Sequence, residues 1–217
     1  MILSPAQRQK LDPSDDQLFY DYPRFVTHVD DHFIAQLTQL YEKLLPSDGR
    51  ILDLMSSWVS HLPDFAFQEV VGHGMNAAEL AKNPRLDRYF VQNLNLNPQL
   101  PLEDASFEAV LMSVSVQYLQ YPEAVFAEIQ RVLTPGGVCI VSFSNRMFYQ
   151  KAIAAWRDSS DSEHIQLVSR YFTQTPGFEK PTVAANRCDQ PFLLQMLGLG
   201  QQDPFYAVFA RRSGVDS

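Results

Sequence analysis

A chain of 217 residues with 46% apolar side chains can bury one sizeable core and needs no second domain to do so. Seventeen basic against 25 acidic residues give a formal net charge of −8, which excludes the electrostatic footprint of a nucleic-acid or anionic-membrane binder and favours small-molecule partners. Two cysteines, Cys139 and Cys188, make no disulfide framework and fit a reducing, cytoplasmic setting, and no apolar stretch approaches the ~18 residues that span a bilayer.

Residues 1–16 mix Pro, Ser and Asp without periodicity and read as a loosely packed lead-in with no catalytic group. An aromatic cluster follows, Phe19, Tyr20, Tyr22 and Phe25, which serves either as a docking surface or as a lid, so residues 1–29 form an N-terminal extension and 30–217 the main domain. Phe33, Ile34, Leu37, Leu40, Tyr41, Leu44 and Leu45 recur at helical spacing behind Asp30 or Asp31 as N-cap, predicting a helix over 30–45. Arg50 to Leu54 is the first buried strand and Glu69 to Gly72 the second. Asn76 with Glu79 three residues later opens a helix to about Lys82 as a capping box.

Arg88 to Gln92 is a third strand, and Phe107 to Val114 a fourth. Pro122 starts a helix whose stripe is Val125, Phe126, Ile129, Val132 and Leu133, ended by Thr134 to Gly137. Val138 to Phe143 is a fully apolar fifth strand. Helical stretches are predicted near 146–157 and 161–172, and Pro181 to Ala185 with Phe205 to Ala210 form an antiparallel closing hairpin at one edge. Strands alternating with helices imply a doubly wound, mostly parallel α/β sheet of about seven strands with helices on both faces.

In such a sheet ligands bind beyond the carboxyl ends of the strands where strand order reverses, which directs attention to the turn after the first strand. That turn is Met55-Ser56-Ser57-Trp58-Val59-Ser60, with no G-x-G-x-x-G, so a pyrophosphate cofactor such as NAD is disfavoured. No Cys/His spacing marks a metal site and no G-x-S-x-G marks a nucleophile elbow.

Ile51-Leu52-Asp53-Leu54, Leu100-Pro-Leu-Glu-Asp-Ala-Ser-Phe-Glu108 and Glu128-Ile-Gln-Arg-Val-Leu-Thr-Pro-Gly-Gly137 occur in that order. Together they resemble a class I S-adenosylmethionine-dependent methyltransferase of the type 11 group, over roughly residues 48–145. The stretches around Ser56-Ser57-Trp58 and Gly72-His-Gly-Met75-Asn76 resemble a variant cyanobacterial and chloroplast subgroup with a degenerate glycine-rich motif. The resemblance implies a Rossmann-like fold and S-adenosyl-L-methionine as cofactor, with a wall of Asp53, Ser56, Ser57, Trp58, Gly72, Gly74, Met75, Asn93, Leu94 and Ser113.

Gly74 stands where the family places a ribose-binding acid, which leaves the ribose to backbone near Gly72 to Met75, to Asn76 or to Ser57. Asn93 matches the position whose amide oxygen accepts the adenine amino group. Methyl transfer chiefly needs alignment, so a base is optional. His28, Tyr22 and Tyr118 are the catalytic candidates, with His61 and His73 as further histidines near the crevice. Tyr20, Arg24, Asn145 and Arg146 are candidates for the acceptor side, Arg24 through a carboxylate or phosphate. The implied function is methyl transfer to a small molecule by a monomer or homodimer. The competing reading is a catalytically silent relative that uses the crevice or surface to bind a ligand or a protein.

Overall fold

The computed structural model describes residues 2–186 and 202–214. Seven strands, β1 (Arg50–Asp53), β2 (Glu69–Gly74), β3 (Arg88–Val91), β4 (Phe107–Ser113), β5 (Leu133–Phe143), β6 (Thr182–Asn186) and β7 (Phe205–Arg211), form one sheet in the order β3-β2-β1-β4-β5-β7-β6. The first five run parallel, and β7 is antiparallel to both β5 and β6. Among the described residues six α-helices accompany them, α1 (Asp16–Tyr20), α2 (Asp31–Leu44), α3 (Ala77–Lys82), α4 (Pro122–Val132), α5 (Ala154–Arg157) and α6 (Asp161–Thr173), with a 3-10 turn at Val116–Tyr118.

The sheet is covered on both faces, which is why β4 and β5 are apolar on both sides. On one face α2 lays Phe33, Leu37 and Tyr41, spaced four apart, against Ile51, Val70, Leu111 and Ile140. Asp30 caps this helix by accepting from the Phe33 N–H at 2.9 Å. On the other, Val125, Phe126, Ile129 and Val132 of α4 and Leu167, Val168, Tyr171 and Phe172 of α6 pack on Leu52, Val110, Cys139 and Val141. Pro122 occupies the first turn of α4, where its missing N–H costs nothing.

Three features depart from expectation. The lead-in is firmly packed: Leu3 is buried in the main core, the Arg8 guanidinium donates to the Gln120 carbonyl and pairs with Glu123, and Gln7 and Gln9 carbonyls accept from Ala155 and Ala154 N–H. Those bonds, with the Lys10–Ile153 bridge, hold residues 145–153 in turns, so the helix expected over 146–157 shrinks to α5. Thr134 to Gly137 follow the end of α4 as expected but also belong to the sheet, so that β5 starts at Leu133 rather than Val138, with Gly136 at φ +79°. Gly136 N–H donates to the Arg212 carbonyl and the Gly137 carbonyl accepts from Arg212, with a bulge opposite Phe107 and Ala109. Most of the hairpin connection and Cys188 lie outside the described residues; Cys139 is buried, and burial raises its thiol pKa.

Candidate functional site

Strand order reverses between β1, whose neighbours are β2 and β4, and the carboxyl ends of these strands open into a cavity of about 420 Å³. Small-molecule pockets run ~300–1,000 Å³, so one ligand of moderate size fits. Its floor is the turn after β1 and the ends of β2 and β4, and its roof is the chain from Asp16 to Val29.

The turn keeps the backbone of a glycine turn without the glycines, since Met55 holds φ at +58°. His73 of β2 makes this possible. Its Nδ1 accepts from the Met55 N–H at 3.1 Å, its Nε2 bonds the Gln92 carbonyl at 3.0 Å, and its own carbonyl accepts from the Ser56 N–H at 2.6 Å. An Nδ1 that accepts and an Nε2 that donates define a neutral ring, and burial pushes its pKa down to about 4. His73 is therefore a clamp between the ends of β1 and β3 and has no free nitrogen for a base.

Asp53 is buried at the end of β1, and desolvation pushes its carboxyl up to about 6 against the pull of hydrogen bonds from Ser56, at 2.6 Å, and Ser60. Ser60 in turn accepts from Asn83 Nδ2 at 2.8 Å, which ties α3 to the turn. Ser57 Oγ donates to Glu79 Oε2 at 2.6 Å, and Glu79 Oε1 accepts from the Arg24 N–H at 2.6 Å.

The roof is tied down at several points. Trp58 Nε1 donates to the Val26 carbonyl at 3.1 Å, Asn76 Nδ2 donates to the Tyr20 and Asp21 carbonyls, and Asn95 Nδ2 donates to Asp16 at 3.1 Å. The Arg24 guanidinium lies 4.4 Å from the Phe19 ring and 5.5 Å from the Phe148 ring and donates to the Phe19 carbonyl. His28 stands edge-on to Phe148, and burial lowers its pKa, so it is neutral at physiological pH. Tyr118 stacks on Phe148 and its hydroxyl accepts from the Phe148 N–H at 2.8 Å. Burial raises the pKa of both Tyr118 and Tyr20.

Of the residues selected from the sequence, His28, Tyr118, Asp53, Ser56, Ser57, Trp58, Gly74, Met75, Asn93, Leu94, Ser113, Tyr20, Arg24 and Arg146 share this wall. Three do not. Tyr22 is 79% exposed on the outside of the roof, Gly72 is enclosed against Leu86, and Asn145 is exposed beyond β5. Asn93 Oδ1 already accepts from the Asn95 N–H at 2.9 Å, and Arg146 pairs with Asp203 at 2.7 Å. Asp16, Gln92, Asn95, Ser115 and Glu79 line the cavity as well. Only Glu79 carried a sequence signal, and that signal pointed to a helix cap.

An open doubly wound sheet with a ligand-sized cavity at its switch point defines a small-molecule-binding α/β domain. Residues 58–141 match the family model described as "Methyltransferase domain", beginning just past the Met55–Ser57 turn. A malonyl-acyl-carrier-protein O-methyltransferase of Marinomonas sp. is 31% identical over 67 residues, 31% of this chain and a quarter of that protein's length. Among solved structures, an S-adenosylmethionine-dependent methyltransferase of Mesorhizobium loti superposes with a TM-score of 0.53 at 18% identity, over 80% of this chain and 96% of that one. The 4+2 cyclase SpnF does so at 0.55 and 16%, over 82% and 81%. Over residues 58–141 the chain is thus similar to a methyltransferase domain, and its fold is that of solved S-adenosylmethionine-dependent methyltransferases.

The donor set fits such a cofactor. The cavity wall offers carboxylates, side-chain amides and aromatic faces together, and Ser115 Oγ is buried there without a hydrogen-bond partner among the described residues.

Proposed function

We propose that the chain transfers a methyl group from S-adenosyl-L-methionine to a small-molecule acceptor lodged beneath residues 16–29, which act as a lid. The reading rests above all on one cavity at the switch point that joins Asp53, Ser57 and Asn93 on its floor to His28 and Arg24 in its roof. Asp53, Ser57, Asn93 and Ser115 hold the cofactor, which supplies an activated methyl group and asks the protein chiefly for alignment. Arg24 has no carboxylate within ion-pair reach among the described residues, and its guanidinium lies against both the Phe19 and Phe148 rings. It receives a carboxylate of the bound molecules. His28, neutral and on the wall, takes the proton that an acceptor hydroxyl or amine gives up. Tyr118 stays protonated and donates a hydrogen bond.

Calorimetric titration with S-adenosylmethionine and S-adenosylhomocysteine tests the reading, with micromolar binding expected. A hundredfold excess over Kd then stabilises the fold by about 2.7 kcal/mol. Absence of heat and of any melting shift up to millimolar ligand overturns it.

A silent, ligand-binding role is the second reading, and one observation favours it: the Met55 and Ser56 N–H groups, which a glycine turn offers to a ligand, are both consumed by His73. The 4+2 cyclase among the fold neighbours is in keeping with another chemistry on this scaffold. Cofactor binding without turnover of tritiated S-adenosylmethionine on panels of small acids, amines and phenols would favour it.

A further inference from the structure

The end of β2 has no room for a side chain. A Cβ at Gly74 would lie 2.6 Å from the Ser56 carbonyl oxygen, a backbone atom pinned by the His73 clamp, so no carboxylate can stand at that strand end. The same part of the wall nevertheless carries one. Glu79 lies in the first turn of α3 behind its N-cap Asn76, and instead of closing back on Asn76 it accepts from Arg24 N–H through Oε1 and from Ser57 Oγ through Oε2. A carboxylate has about four acceptor sites, and these two bonds use one on each oxygen. One acceptor site per oxygen remains, side by side, which is the complement of a vicinal diol with two O–H donors. The other carboxylates of the wall stand on other elements: Asp53 ends β1 and accepts from Ser56 and Ser60, and Asp16 opens α1 in the roof, where one oxygen accepts from Lys10 and Asn95.

We propose that Glu79 binds the two ribose hydroxyls of S-adenosylmethionine, with Ser57 and the Arg24 N–H holding the carboxylate in place. The assignment rests on the cofactor reading above. It links lid to ligand, because the carboxylate that meets the ribose also holds the roof backbone at Arg24.

The test combines a protein substitution with a ligand deletion. Wild type and Glu79→Gln are titrated by calorimetry with S-adenosylhomocysteine and with its 2′,3′-dideoxy analogue. Charge-assisted hydrogen bonds to both hydroxyls make the wild type prefer the intact ribose by on the order of 10- to 100-fold. Glu79→Gln is expected to lose most of that preference while binding the dideoxy analogue within about threefold of wild type. Equal weakening of both ligands would reduce Glu79 to a lid anchor, and no weakening of either would remove it from the site; each overturns the proposal. Wild type that binds both ligands equally overturns the ribose assignment alone, whereas wild type that binds neither overturns the cofactor reading with it. If Glu79→Gln melts below the assay temperature, Glu79→Asp, which withdraws the charge by one methylene, is expected to show the same selective loss.

Discussion

Asp53 and His73 are buried ionisable neighbours at the ends of adjacent strands, and their titrations oppose each other. Native Asp53 holds its proton to about pH 6, whereas an ordinary aspartate releases it near 3.8. The folded state therefore binds more protons between these values, and this residue's contribution to stability falls as pH rises through the window, by about 3 kcal/mol in all. Native His73 stays neutral down to about pH 4 against an ordinary 6.5. Its contribution is full above 6.5 and is lost, again by about 3 kcal/mol, as pH falls toward 4. Asp53→Asn removes the first slope and keeps an acceptor for Ser56. Urea denaturation should find this variant more stable than wild type by about 1–3 kcal/mol at pH 7.5, with little difference at pH 4 and a steeper acid loss between. An unchanged difference across pH would show that Asp53 is solvated. The same substitution is expected to weaken S-adenosylmethionine binding, the trade of stability for function that a buried site charge embodies.

The elements that bear on the site are fixed by contacts distant in sequence. Lys151, fully buried after β5, places its ammonium 3.0 Å from Asp12 and 3.5 Å from Asp16 and donates to the Ser14 carbonyl, and this pins the start of the roof. Lys151→Met leaves these carboxylates short of a cation, at a cost of about 2–4 kcal/mol. Cleavage by chymotrypsin in the Phe19–Phe25 stretch should then precede global unfolding; cleavage that tracks global unfolding in both proteins would mean that the roof does not open independently. The turn before β4 offers a change in the opposite direction. Ala105 is exposed with φ at +47°, a conformation that disfavours a Cβ, so Ala105→Gly should raise stability by about 1 kcal/mol in the same denaturation assay.

At the scale of the whole molecule, the sheet was legible because its signals are local and periodic. Apolar runs at β1, β4 and β5, the Asp30 cap of α2 and the stripe of α4 each specify an element from within a dozen residues. The turn after β1 was legible as the site's position, and most residues chosen around it share the cavity wall. The roof was not legible. Arg8 meets Glu123 and Lys151 meets Asp12 across more than a hundred residues, and a polar segment without periodicity gives no sign of such partners. Nor could spacing show that His73 spends both ring nitrogens on backbone, or that Glu79 turns from its cap into the cavity.

This division between a rigid sheet and a roof held by a few polar bonds sets an expectation for ligand binding. Saturating S-adenosylhomocysteine should slow amide exchange over residues 16–29 and 55–61, which the ligand would join. Exchange in α4 and α6, neither of which contributes a residue to the cavity wall, should follow only the global gain in stability. Protection confined to 55–61, with 16–29 unchanged, would mean that the ligand enters without engaging the roof. The lid role would then fail while the cavity assignment stood.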